Sequence, residues 1–262
     1  MPRQKESGGF FLAGHLDHQD FPALLVGITL KEFNMKLVTY NPVAGMLVPI
    51  NNEVVDRALK AAQQQVGEAA WKGGYSDTRA DGPTAVARLA LEGICKPEGI
   101  TGRISAVKLA ATRDSRGNEY QKVRVRFEGV CEGDDGVMLS LDVQSELAQR
   151  LAHKLLNVQP GEVVTFLPFS QLVKRGDRFY ANQALSLRNA QGKEVKAPDS
   201  LWAEAQALAD AAAKVLAAAG ISDRASLNKV KANKKVEYHH NLYRDLIGPK
   251  FENARSAQPL AA

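Results

Sequence analysis

Between Tyr120 and Phe127 the chain reads Tyr-Gln-Lys-Val-Arg-Val-Arg-Phe. Successive side chains of a strand point to opposite faces. Val123, Val125 and Phe127 therefore share one face, and Lys122, Arg124 and Arg126 share the other. The pattern predicts a strand from Tyr120 to Val130 with a dry side and a cationic side. Val137 to Val143 is a third strand by the same logic, with Val137, Leu139, Leu141 and Val143 on one side. Ahead of these, Ile100 to Ala111 reads as a strand with apolar positions at Ile104 and, less regularly, Val107 and Leu109. After them the period becomes helical: Leu147, Leu151, Leu155 and Val158 predict a helix over 145–157, with Ser145 as its N-cap. Pro160-Gly161 closes it. Two further strands follow, Glu162 to Val173, bent near Pro168, and Arg178 to Arg188, joined by a hairpin turn at Lys174-Arg175-Gly176-Asp177.

The flanks differ. Residues 1–9 are expected to be disordered. Phe10 to Ile50 is strand-like, with β-branched and aromatic residues at Ala23–Ile28 and Lys36–Tyr40. Asn51 or Asn52 is placed to cap a helix from Glu53 to about Ala70, ended by Gly73-Gly74, and Thr84 to Glu92 is a short helix. Lys96-Pro97-Glu98-Gly99 reads as a boundary. Beyond the strands, Ser200 is expected to cap an alanine-rich helix that runs to about Ala219 and stops at Gly220. The expected organisation is an N-terminal strand and helix region over 1–96, a β-rich unit over 97–197 and a basic helical tail over 198–262.

The bulk numbers narrow the partners. The chain has 262 residues, 45% hydrophobic, with a net charge of +5. Eight Lys/Arg against four acids over 221–255 give the tail a net +4. A basic balance favours nucleic acid or an anionic surface. Cys95 and Cys131 form no metal-spaced cluster. Reduced thiols and a cytoplasmic setting, the host cytoplasm for a viral protein, are the simplest reading, with a single Cys95–Cys131 disulfide as the alternative. The N-terminal residues do not read as a signal peptide, and no stretch approaches the ~20 apolar residues of a membrane helix.

Three strands, a helix and two strands within about one hundred residues is the element order of the five-stranded OB-fold barrel, which binds oligonucleotides on a barrel face and with its loops. The expected fold class is thus α+β, mainly β, with an OB-like barrel. On that order and on the basic-aromatic strands, residues 100–190 resemble the OB-fold single-stranded DNA-binding proteins, particularly the divergent kind carried by phages and plasmids. Two departures stand out. Bacterial members usually end in an acidic tip, and Ala254 to Ala262 contains no acid. The first hundred residues also have no counterpart in the small members.

Unpaired nucleic acid needs cations for its phosphates and flat faces for its bases. The candidate cations are Lys108, Arg113, Arg116, Lys122, Arg124, Arg126, Lys174, Arg175 and Arg178. The candidate stacking residues are Tyr120, Phe169, Phe179 and Tyr180, of which adjacent Phe179 and Tyr180 face opposite ways, so at most one stacks. Both hairpins place cations beside aromatics, as the lips of a groove would. The same cationic row equally suits a solvated sheet face whose long charges discourage aggregation.

Other constellations carry less. His15, Asp17 and His18 have no second ligand cluster to complete a metal site. Glu132, Asp134 and Asp135 form an acidic turn away from any nucleic acid path. His153 is expected on an exposed helix face, and Tyr238-His239-His240 on a tail helix that is solvated or touches a partner. No nucleophile elbow, Walker loop or dinucleotide fingerprint is present. The expectation is a non-enzymatic protein without cofactor or metal, binding single-stranded DNA with little sequence preference in replication or recombination. Homo-oligomers and replication or recombination proteins are further expected partners. A protein-interaction module on the same barrel, or an RNA-binding protein, are the alternatives.

Overall fold

A computed structural model describes residues 36–77, 79–95, 99–114, 116–129 and 136–256. The expectations for residues 1–9, His15–His18, Ala23–Ile28, Cys131 and the acidic turn lie outside these. The strands are β1 (Lys36–Asn41), β2 (Met46–Pro49), β3 (Ile100–Arg113), β4 (Glu119–Glu128), β5 (Val137–Asp142), β6 (Val163–Arg175) and β7 (Arg178–Asn189). The helices are α1 (Glu53–Val66), α2 (Glu68–Gly73), α3 (Pro83–Leu91), α4 (Glu146–Leu155), α5 (Ser200–Ala218), α6 (Arg224–Asn241) and α7 (Gly248–Ser256). A π-helical turn, Leu242–Ile247, joins the last two.

The class is α+β, but the expected five-stranded barrel is corrected to one mixed sheet of seven strands, ordered β2-β1-β5-β4-β3-β6-β7 and curled into a half-barrel. The two added strands come from the N-terminal region. β1 lies parallel to β5, pairing Lys36 with Val137 and Val38 with Leu139, and β2 folds back antiparallel on β1. An uncovered β5 would offer a row of free backbone groups, and β1 pairs with its first half, Val137 to Leu139. The hydrogen-bonded sheet thus runs across the 96/97 boundary. The curl brings the far sides of the sheet together, where the Tyr40 and Ser170 hydroxyls, on β1 and β6, lie 2.6 Å apart.

The inner face is dry. Val123, Val125 and Phe127 of β4 pack with Ile104 and Val107 of β3, Leu139 and Leu141 of β5, and Phe166 of β6. Ile104 and Val107 are three apart yet both buried, because a β-bulge between Ile104 and Ala106 inserts one residue and restores the alternation. That bulge explains the irregular period of the first strand. At Gly136 the chain enters β5 with φ +100°, and a Cβ there would fall 2.3 Å from the Phe127 carbonyl oxygen, so only glycine permits the approach.

Helix α4 covers this face through Leu147, Leu151 and Leu155, and its predicted Ser145 cap accepts a hydrogen bond from the Ala148 amide at 3.2 Å. The C-terminal region also belongs to the core. Tyr243, Ile247 and Phe251 are buried in the same cluster, and the Tyr243 hydroxyl donates to the Ala148 carbonyl at 2.6 Å. Lys250 donates to the Leu156 carbonyl at 2.8 Å, placing a cation on the C-terminal carbonyls of α4, where the helix dipole favours it. Partial burial lowers the Lys250 pKa. One sequence expectation fails here: His153 is fully buried rather than exposed. For the tail helix, read as solvated or in contact with nucleic acid or a partner, the structure buries His239 within the chain itself.

A second, smaller cluster joins Ala44, Met46 and Val48 to Val55 of α1 and to Ala87 and Leu91 of α3. The helix expected from Glu53 to about Ala70 breaks at Gly67, which sits at φ +83° between α1 and α2. Asn52 caps α1 through its side-chain oxygen, which accepts from Val54 and Val55.

A C-terminal region built into the core makes a checkable claim. Phe251→Ala should cost about 3–5 kcal/mol of stability in urea unfolding, as for other buried phenylalanines. A loss below about 0.5 kcal/mol, the size typical of surface substitutions, would show that α7 is an appendage.

Candidate nucleic-acid interface

The outer face of β4 is set by its two neighbours. Val123, Val125 and Phe127 point inward, so Lys122, Arg124 and Arg126 point outward, each half-buried. Register then builds three rows across β5, β4 and β3. They read Asp142, Lys122 and Ala110; Ser140, Arg124 and Lys108; and Met138, Arg126 and Ala106. The alanines on β3 leave space beside the longer cations.

The charges in these rows are not equivalent. Lys122 is held by Asp142, Nζ to Oδ2 3.2 Å, and lies 5.3 Å from the centre of the Tyr120 ring. Arg126, with a side chain only 16% exposed, sits 3.1 Å from the Glu128 carboxylate. That approach is close for charges but not aligned as a hydrogen bond, and its Nε remains without a hydrogen-bond partner. Arg113 sits 3.6 Å from Glu119. Arg124 differs: among the described residues it has no ion-pair partner, and its buried Nε has no hydrogen-bond partner. Its cross-strand neighbour is Lys108, exposed and likewise without an ion-pair partner among the described residues.

The tip of the β3–β4 hairpin is tied down by one carboxylate. Asp114 accepts from the backbone of Arg116 and Asn118, both at 2.9 Å, from the Asn118 amide at 2.9 Å, and from the Tyr120 hydroxyl at 3.1 Å. The Asn118 side-chain bond leads the lowering of the Asp114 pKa, and the bond to Asp114 leads the raising of the Tyr120 pKa. Tyr120 is therefore fixed by its hydroxyl, with its ring at the end of the cationic row. Arg116 stands exposed in the turn.

The second hairpin contributes apolar surface. Phe169 is 42% exposed and Tyr180 is 43% exposed. Phe169 pairs with Ala184 and Tyr180 with Val173, and the alternation places Leu167, Phe169, Val173 and Tyr180 on one face of the hairpin. That face continues the outer face of β3 through Thr101 and Thr165, whose hydroxyls lie 2.9 Å apart. Phe169 and Tyr180 thus share a sheet face with Arg124 and Lys108. β6 leaves β3 after Phe166, however, so the two hairpins part instead of lying in one ladder. Lys174 is exposed near the tip, and Arg175 and Arg178 are register partners across a turn with Gly176 at φ +61°, as a type II′ hairpin requires. Phe179 is the register partner of Lys174.

Two acids modify what the strand alone suggests. Glu128 follows Arg126 by two positions and so lies on the same strand face. Asp142 needed the β4–β5 register, which the sequence does not show. Beside the Lys122–Asp142 pair a cavity of about 220 Å³ opens between β1 and β5, lined also by Thr39, Tyr40, Ser145 and Gln183. Among the described residues no group of three or more His, Cys, Asp or Glu is arranged to hold a metal ion. Among them too, no helix is long and apolar enough to cross a membrane.

No protein-family model, curated protein or solved structure matches the chain, so what this face does has to be read from its own residues.

The two faces of β4 should respond differently to truncation. Phe127→Ala should cost about 3–5 kcal/mol in denaturant unfolding. Arg124→Ala, which removes a cation without an acid partner, should shift stability by no more than about 0.5 kcal/mol. A large loss at Arg124 would mean that its guanidinium supports the fold.

Proposed function

We propose that the outer face of β3 and β4 binds single-stranded nucleic acid, DNA in the first instance, with little sequence preference and without catalysis, in replication or recombination. One observation carries this reading: Lys108 and Arg124 stand directly opposite each other with no acid between them. Like charges opposite each other on a sheet are destabilising, so folding gains nothing from the pair, whereas a phosphate placed between them relieves the repulsion. Lys122 and Arg126 extend the row on either side. Tyr120, Phe169 and Tyr180 offer exposed rings, and base–aromatic stacking contributes about 1–3 kcal/mol per base. A curled β-sheet face with flanking hairpins is also the kind of surface that OB-like proteins use.

The carboxylates of Asp142 and Glu128 favour a second reading, a protein partner of mixed charge that uses the exposed Leu167, Phe169 and Tyr180. Titration of fluorescent oligo-dT separates the two. Binding should weaken steeply with salt, and removing Lys108 and Arg124 together should lower affinity and flatten the log–log salt slope by about 0.7 per lost phosphate contact. Phe169→Ala and Tyr180→Ala should each weaken binding at unchanged salt slope. If a folded variant with Lys108, Lys122, Arg124 and Arg126 all changed to Ala binds as tightly as the parent, this reading is wrong. Stronger binding of oligo-U than of oligo-dT would move it to RNA.

A further inference from the structure

The two buried histidines meet each other. His153 of α4 and His239 of α6 bring their Nε2 atoms to 2.9 Å, with the ring centroids 4.9 Å apart and the ring planes inclined by 20°. Trp202 of α5 covers the pair, 4.4 Å from the His153 ring in an edge-on arrangement and 5.5 Å from His239. Three helices therefore converge on two imidazoles that are wholly removed from water.

The hydrogen bonds fix the protons. His239 Nδ1 lies 2.6 Å from the Lys235 carbonyl, which only accepts, so the ring carries its proton on Nδ1. Its Nε2 is then a lone pair, and the 2.9 Å contact requires His153 to donate from Nε2. The remaining nitrogen, His153 Nδ1, is an unprotonated lone pair, buried and without a hydrogen-bond partner among the described residues. A further proton has no good place. On His239 Nε2 it would set two N–H groups head to head unless His153 moved its own proton to Nδ1, where it would find no acceptor among the described residues. On His153 Nδ1 it would bury an imidazolium with no acceptor for the new N–H.

We propose that His153 and His239 form an acid-sensitive latch that holds the α5–α6 helical hairpin against α4 while both are neutral and releases it when either takes up a second proton. The neighbouring charges support this. Arg150 of α4, whose guanidinium lies 5.7 Å from the centre of the Trp202 ring, opposes protonation of His153. Lys235 of α6 opposes protonation of His239 by its charge, although its carbonyl bond works the other way. Glu204 of α5 favours a charged His153, but its carboxylate already accepts from the Tyr238 hydroxyl at 2.7 Å. Burial dominates and pushes the His153 pKa down to about 4, and burial likewise lowers that of His239.

The direction follows from linkage. The closed latch has its His153 pKa near 4, against 6.5 for an ordinary imidazole. The open state therefore binds the proton more readily, closure is fully favoured above the ordinary value, and its advantage is lost as pH falls from 6.5 toward 4. Between pH 7 and pH 5 the open-to-closed ratio should rise about twentyfold from His153 alone.

The fluorescence of Trp202, isolated by Trp71→Phe in the full chain, reads the latch directly. Its emission should shift to the red as pH falls through the window from 6.5 toward 4, while far-UV circular dichroism stays native. A double variant, His153→Gln with His239→Gln, keeps polar side chains that do not titrate and should abolish the transition. If that variant does not fold, imidazole nitrogen shifts of the parent protein give the same test, because both rings should resist protonation until the α5–α6 amide signals move. Trp202 emission that stays constant to pH 4.5, a double variant with an unaltered transition, or a histidine that titrates near 6.5 with no change in α5–α6 would each overturn the latch.

Discussion

Phe127, Val125 and Val123 fix the sheet because β4 is its middle strand, hydrogen-bonded on both sides. A strand has a period of two, so a slip of one residue would turn its whole apolar set to the solvent and its cations to the core. Here such a slip would drive Lys122, Arg124 and Arg126 against α4 and the C-terminal aromatic cluster. Burying even one unpaired charge costs more than most domains can spare. The register is therefore locked, and with it the partners of every cation: Asp142 beside Lys122, Lys108 beside Arg124, and Ala106 beside Arg126. The dry face and the charged face are two consequences of one alternation.

The elements with a strong period were legible for that reason. β4, β5 and α4 appear within two residues of where alternation and helical spacing place them, and Ser145 caps α4 as its position implies. What the sequence could not show was long-range. β1 joins β5 from more than ninety residues away, and no local pattern announces a parallel partner. The bulge at Ile104 to Ala106 disguised a regular strand as an irregular one. Histidine at position 153 follows a helical surface pattern until α5 and α6 fold over it, so its burial depends on residues about fifty and eighty-six positions later. Of the candidate site residues, the sequence displayed the β4 cations and the aromatics. It did not reveal the acid facing Lys122 or the lone pairing of Lys108 with Arg124.

Magnitudes decide how the outer face is read. The Lys122–Asp142 pair has side chains 27% and 31% exposed, and ion pairs near the surface contribute no more than about 1 kcal/mol. Such a pair does not prevent an anion from approaching, because exchange of a carboxylate for a phosphate costs little. The Lys108–Arg124 pair sets the opposite condition, since it lowers the stability of the empty sheet and becomes favourable only with a counter-charge. The acids tune the row without cancelling it, and in the proposed complex the exposed rings of the second hairpin would add an attraction that salt does not screen.

The same weighing separates the two ends of the C-terminal region. Tyr243, Ile247 and Phe251 bury large apolar surfaces in the main core, so the π-helical turn and α7 are fastened by the hydrophobic effect, which is insensitive to pH. The α5–α6 hairpin is built differently. Ala205, Ala209 and Ala213 form a stripe of small buried residues that lets α5 lie close along α6, so the pair coheres as a unit. Its hold on the body combines Val236 and Tyr238 of α6, which pack half-buried on the core, with Trp202 and two imidazoles that share a single proton between facing nitrogens. Segments with few large apolar contacts open at lower free energy than the global transition. A hairpin that is cohesive within itself, yet held to the body in part through two buried imidazoles that acid competes for, is where the proposed latch opens the fold.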